Sequence, residues 1–136
     1  MTVEVAFLLV LLVVPLFYLI GTVGRVQAGA YAVSAAAREA GRGFVTAEDV
    51  GAAAGRAQAA AGLVFASHGF IAGEGTVELG CEGGDSCLTP GSHVVAEATI
   101  TVPLPLVPDF MARSLPTAIT LTAQHVETVD EFRESP

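Results

Sequence analysis

The sequence predicts an α+β chain: a long N-terminal transmembrane helix, then a small domain of one helix packed on a three-stranded antiparallel sheet. Three observations lead there. Residues 5–24 contain no charged side chain. Residues 47–68 repeat apolar and small side chains at helical spacing. Three later runs alternate apolar and polar residues with period two. The organisation expected is a helical segment over 1–43 and an extracytoplasmic domain over 44–136.

Composition sets the outer bounds. The chain has 136 residues, 52% of them hydrophobic and 15% charged, which excludes a disordered polymer. Six basic and fourteen acidic residues give a net charge of −8, so no nucleic acid partner is expected. All the basic residues are Arg. Without Lys there is no Walker-type phosphate loop and no Schiff-base chemistry.

The first element is the apolar run. Glu4 precedes it and Arg25 ends it. Twenty residues at a rise of ~1.5 Å span ~30 Å, the thickness of a bilayer core. The stretch Val5–Val14 is apolar on every side, which calls for burial in lipid or in an assembly. Pro15 removes a backbone donor and is expected to bend the helix. The helical pattern continues past the apolar run to a stop at Gly41 and Gly43. Along it, Ala28, Ala32 and Ala36 form a ridge of small side chains that permits close helix approach. Arg38 and Arg42 share a face, with Glu39 beside them. A signal peptide is the competing reading, with Ala28-Gly29-Ala30 as its cleavage form. It would need a basic start, and the early charge here is acidic.

The second helix is expected over 47–68. Thr46 with Asp49 three residues on has a capping-box form, and Gly69 fits the residue just past the C-terminus. His68 is expected to cap the last turn or face solvent. The strands are expected at Thr76–Cys81, His93–Val102 and Thr117–Glu127. Val77, Leu79 and Cys81 share one face of the first. Val94, Ala96, Ala98, Ile100 and Val102 share one face of the second, and Ile119, Leu121 and Ala123 one face of the third. Such alternation gives one buried and one wet face, hence an antiparallel meander. The connection between its last two strands is rich in Pro: Pro103, Pro105, Pro108 and Pro116 cannot donate to a ladder. It reads as an extended crossover pinned to the core or as an apolar contact loop.

Cys81 and Cys87 flank five turn-forming residues. A disulfide closing a hairpin is the expected state, with free thiols or a metal site as alternatives. A metal would need two further ligands, and His68, His93 and His125 lack ligand spacing, so no metal or cofactor is expected. Nor is an enzyme expected. No hydrolase or metalloprotease motif is present, and His125, Glu127 and Asp130 read as a polar strand end. Glu74, Glu78, Glu82 and Asp85 read as a solvated acidic face.

Several segments together resemble a known family. The start Met1-Thr2-Val3-Glu4-Val5-Ala6-Phe7 before an apolar run resembles type IV pilin-like proteins. Further on come Cys81…Cys87-Leu88-Thr89-Pro90-Gly91, then Val102-Pro103-Leu104-Pro105-Leu106-Val107-Pro108, then His125 to Arg133. In that order they resemble the TadE-like minor pseudopilins of bacterial tight-adherence (Flp) pilus systems. The resemblance implies a pilin-like fold and a structural subunit of a pilus or secretion assembly. In that family a glutamate stands fifth in a mature chain cut after a Gly. Glu4 takes that place if a leader and one mature residue lie upstream. The partners implied are membrane lipid, other pilin or pseudopilin subunits, the pilus assembly platform and a prepilin peptidase. Glu4 would attract the N-terminal ammonium of a neighbouring subunit and set axial register in the helix bundle.

Topology draws on two opposing signals. Arg25, Arg38 and Arg42 follow the span, which by positive-inside counting favours the cytoplasm. The cysteine pair and the resemblance favour the other side, and they decide the expectation: a single-pass protein with an extracytoplasmic domain. The alternative function is a non-polymerising membrane protein with a binding domain. A secreted domain released from a signal peptide is a third.

Overall fold

The computed structural model describes residues 2–83, 86–105, 107 and 109–134. Gly84 and Asp85, between the cysteines, and Leu106 and Pro108, in the proline-rich connection, lie outside the described residues. The fold is α+β. Helix α1 spans Val3–Val45 and α2 Val50–Ser67; strands β1, β2 and β3 span Gly75–Glu82, His93–Pro103 and Ala118–Thr128.

Helix α1 is one uninterrupted rod of 43 residues that passes through Pro15. Its two halves obey different rules. The most apolar stretch of 18 residues has a mean hydropathy of 2.7 and none of it is buried. It is long and apolar enough to cross a membrane. Its hydroxyl at Thr22 donates back to Tyr18 O at 2.8 Å, which satisfies that group without water. From Gly29 the pattern changes. Gly29, Ala32, Val33, Ala36, Ala37, Ala40, Gly41 and Phe44 are buried. Their spacing of three and one, repeated, is a single stripe on a 3.6-residue helix.

That stripe is the spine of the domain. The sheet is antiparallel in the order β1-β2-β3. The second half of α1 lies across β2 and β3, and α2 lies beside α1 and reaches β1. Val94, Ala96, Ala98, Ile100 and Val102, alternate residues of the central strand, are all inaccessible. They meet the alanine stripe, so the core takes in residues from both sides of residue 43. The other face of the sheet is mostly polar, with Val95 and Val126 paired across it. There Thr99 and Thr122 hydroxyls lie 3.2 Å apart across the ladder, and Glu78 stands directly opposite Glu97.

Two boundaries differ from expectation for one reason. Helix α1 does not stop at Gly41 or Gly43, because those glycines serve close approach. A Cβ on Gly41 would lie 3.3 Å from Glu127 Cβ, and one on Gly43 would lie 3.5 Å from Ala57 Cα of α2. The helix therefore runs to Val45. Thr46 becomes its C-cap, with Oγ1 donating to Arg42 O at 2.7 Å. With Thr46 so used, α2 starts three residues later. Asp49 is its N-cap and accepts from Ala52 N at 2.8 Å. At the other end the expectation holds. Gly69 has φ of 79°, Gly69 N donates to Ala66 O and Phe70 N donates to Phe65 O. This is the Schellman arrangement, with buried Phe65 and Phe70 as its apolar pair.

Candidate functional site

The feature with functional character is the N-terminal half of α1 and what surrounds its exit into the domain. Glu4 lies exposed in the first turn, after the N-cap Thr2. A carboxylate there faces the positive end of the helix dipole. Among the described residues Glu4 has no ion-pair partner. Beyond it Phe7, Leu12 and Phe17 are 65%, 72% and 71% exposed, so most of the apolar surface is uncovered.

Arg25 marks where the bare surface ends. Its guanidinium stacks 4.3 Å from the Phe70 ring centroid, donates to Gly69 O at 3.2 Å and stands 4.0 Å from Glu74. Glu74 Oε2 in turn accepts from Ile71 N at 2.8 Å. The first charge after the apolar span is thus neutralised by the α2–β1 turn of the domain. The sequence marked Arg25 as a boundary; its partners lie some fifty positions away and left no local signal.

The Pro-rich connection between β2 and β3 does not fold back over the sheet. Leu104 N donates to Thr117 O at 2.9 Å and closes the hairpin base. Beyond that rung, Pro105, Val107, Met111 and Leu115 line a groove whose other wall is Val14, Pro15, Phe17, Tyr18 and Gly21 of α1. The groove holds about 910 Å³. Of the two readings of this connection, the crossover pinned to the core is corrected. The connection reaches past the core to the apolar half of the helix.

The remaining predicted residues fall as follows. Cys81 and Cys87 are joined in a disulfide with Cα atoms 5.2 Å apart. Cys81 shares the face of Val77 and Leu79 but lies exposed at the end of β1. Next to the bridge, Leu88 is fully buried, and buried Ser92 Oγ donates to Thr89 O at 2.7 Å. Ala32 and Ala36 are fully buried in the core, while Ala28 packs half-buried at its edge. His68 Nδ1 lies 2.9 Å from Val64 O and closes the last turn of α2.

His125 and Glu127 do meet, with Nε2 and Oε2 3.0 Å apart. They line a polar cleft of about 340 Å³ together with Arg38, Glu39 and Arg42. Arg42 stands 3.7 Å from Glu39, so opposite charges pair within this cleft. Asp130 lies apart from them and turns the chain by accepting from Phe132 N at 2.9 Å. Among the described residues no group of three His, Cys, Asp or Glu side chains is placed to hold a metal ion.

Arg133 is a residue the sequence did not mark for a role. Its guanidinium donates to Val45 O at 2.7 Å, to Glu48 O at 3.0 Å and to Ala47 O. It thereby ties the C-terminal segment to the α1–α2 junction, where α1 leaves orphan carbonyls.

The chain matches no protein-family model, no curated protein and no solved structure.

Proposed function

We propose that this chain is a membrane-anchored, pseudopilin-like subunit of a tight-adherence pilus or related secretion assembly, of the TadE-like kind. One observation carries the reading. A single helix is bare and apolar over its first half and is the spine of a folded domain over its second. A subunit built this way waits in the bilayer with its domain outside. It then moves as one body when the anchor leaves lipid for a helix bundle. The break-free rod is what transmits the motion.

The disulfide supports an extracytoplasmic domain, since such bonds persist in oxidising compartments.

Glu4 is assigned the register role. An exposed carboxylate at the start of an apolar helix is costly in hydrocarbon unless a partner neutralises it. The N-terminal ammonium of a neighbouring subunit supplies that partner in a bundle. The test is Glu4→Ala in the native host. Membrane insertion should persist while incorporation into filaments drops sharply. Unchanged piliation overturns the role of Glu4.

A further inference from the structure

We propose that the β2–β3 connection is a second membrane-contacting element. Its apolar side chains sit among the acyl chains of the leaflet on the domain's side, beside α1. The proposal rests on α1 spanning the bilayer, and it adds a contact that a simple helical anchor lacks.

The argument begins with height along α1. Val102 and Leu121, near the hairpin base, pack against Gly29, where an added Cβ would lie 2.7 and 3.0 Å from them. The groove walls on α1 lie at Val14 to Gly21. The connection therefore descends about 12–22 Å along the helix from the sheet, at ~1.5 Å per residue. Arg25, held by Glu74 and Phe70, marks the edge of the uncharged span. Measured from Arg25, the helix wall of the groove lies about 6–16 Å into that span, and half a bilayer core is about 15 Å thick. A domain bound to α1 at this height carries its connection into hydrocarbon.

The chemistry of the connection fits that position. Phe110 is 82% exposed and Leu115 46%, at the two ends of a turn in which Ser114 N and Leu115 N donate to Met111 O. In water such side chains are a liability; among acyl chains their burial is favourable. The prolines suit it as well, because each removes a backbone donor that lipid could not satisfy. Asp109 and Arg113 are exposed and opposite in sign, so the connection carries no net charge into the leaflet, and Arg113 can reach toward the headgroups by its long stem.

The occupant is lipid because the groove is continuous with the lipid-facing surface of the helix. One of its walls is the span itself, and its lining side chains are apolar.

The natural chain has no Trp, so single reporters can be placed. Full-length Leu12→Trp, Phe110→Trp and Phe132→Trp are reconstituted in phosphatidylcholine vesicles, with and without bromine on the acyl chains. Leu115→Trp replaces the loop reporter if Phe110→Trp fails to form the Cys81–Cys87 bond. The loop reporter should emit to the blue, lose most of its emission to acyl bromine and resist aqueous iodide. Leu12→Trp should behave likewise, and Phe132→Trp, at the far end of the domain, should respond to iodide alone. A bromine-quenched Leu12→Trp with an iodide-quenched loop reporter overturns the proposal and leaves the anchor standing. A loop reporter shielded from both quenchers overturns it in favour of a second copy of the chain. An unquenched Leu12→Trp overturns the membrane anchor itself, and the proposal with it.

Discussion

Arg133 and Gly29 show how single side chains, or their absence, hold the domain to its helix. Arg133 gathers three carbonyls at the α1–α2 junction. Hydrogen bonds from a charged donor contribute about 1.5–3 kcal/mol, and truncation leaves those carbonyls half-satisfied. Arg133→Ala should therefore lower stability by about 2 kcal/mol, read as a lower urea midpoint with an unchanged slope. Gly29 works by omission. A Cβ there would stand 2.7 Å from Val102 Cγ2, so the hairpin base can approach α1 only where no side chain intervenes. Gly29→Val should cost on the order of 1–3 kcal/mol by overpacking. The measurement is thermal unfolding by circular dichroism. An unchanged midpoint would show that the sheet can shift without loss. Gly75 is a comparable site, since the Phe65 ring occupies the space where its Cβ would be.

Among the elements, the helices and the sheet were legible to different depths. The period-two pattern of β2 predicted its five buried residues, because parity alone decides which face each side chain takes. Of the alanine ridge, Ala32 and Ala36 lie in the buried stripe, which also includes Gly29, Val33, Ala37, Ala40, Gly41 and Phe44. Helix ends were read less well. Glycine at 41 and 43 has the form of a stop signal, and packing against β3 and α2 gives it another use. The choice between Thr46 and Asp49 as N-cap followed from that extension. The disulfide ties the end of β1 to Cys87 within the β1–β2 connection and closes a short loop there. Bridging so short a loop contributes about 2 kcal/mol through the unfolded chain. Reduction, or Cys81→Ser, should lower the urea midpoint accordingly. Equal protease resistance in oxidised and reduced protein would remove the bridge from the account of stability. Directly opposed Glu78 and Glu97 pull the other way. Glu97→Gln should raise stability by ~0.5 kcal/mol, with the gain shrinking in high salt.

As a whole molecule the chain is a rod with a domain built around its far half. Helix α1 is continuous through Pro15, so its apolar half and the spine of the domain are one element. If the proposed assembly role holds, the mature chain from its native membranes should begin where Glu4 becomes fifth, as read by intact mass. A mass that begins near Tyr31 would instead mean a secreted domain and overturn the pilin-like reading. The Pro-rich connection sets a second apolar surface beside the apolar half of α1.

Composition and periodicity by themselves determined the α+β class, the apolar span, the inward face of each strand and the pairing of the two cysteines as the expected state. These follow from local repeat distances, which a sequence carries directly. Only the tertiary structure decided where α1 ends, which residue caps α2, what Arg25 and Arg133 hold, and that the β2–β3 connection lies against the helix instead of the core. Each of those depends on groups tens of residues apart meeting in space, and no local pattern encodes which distant surface will be nearest.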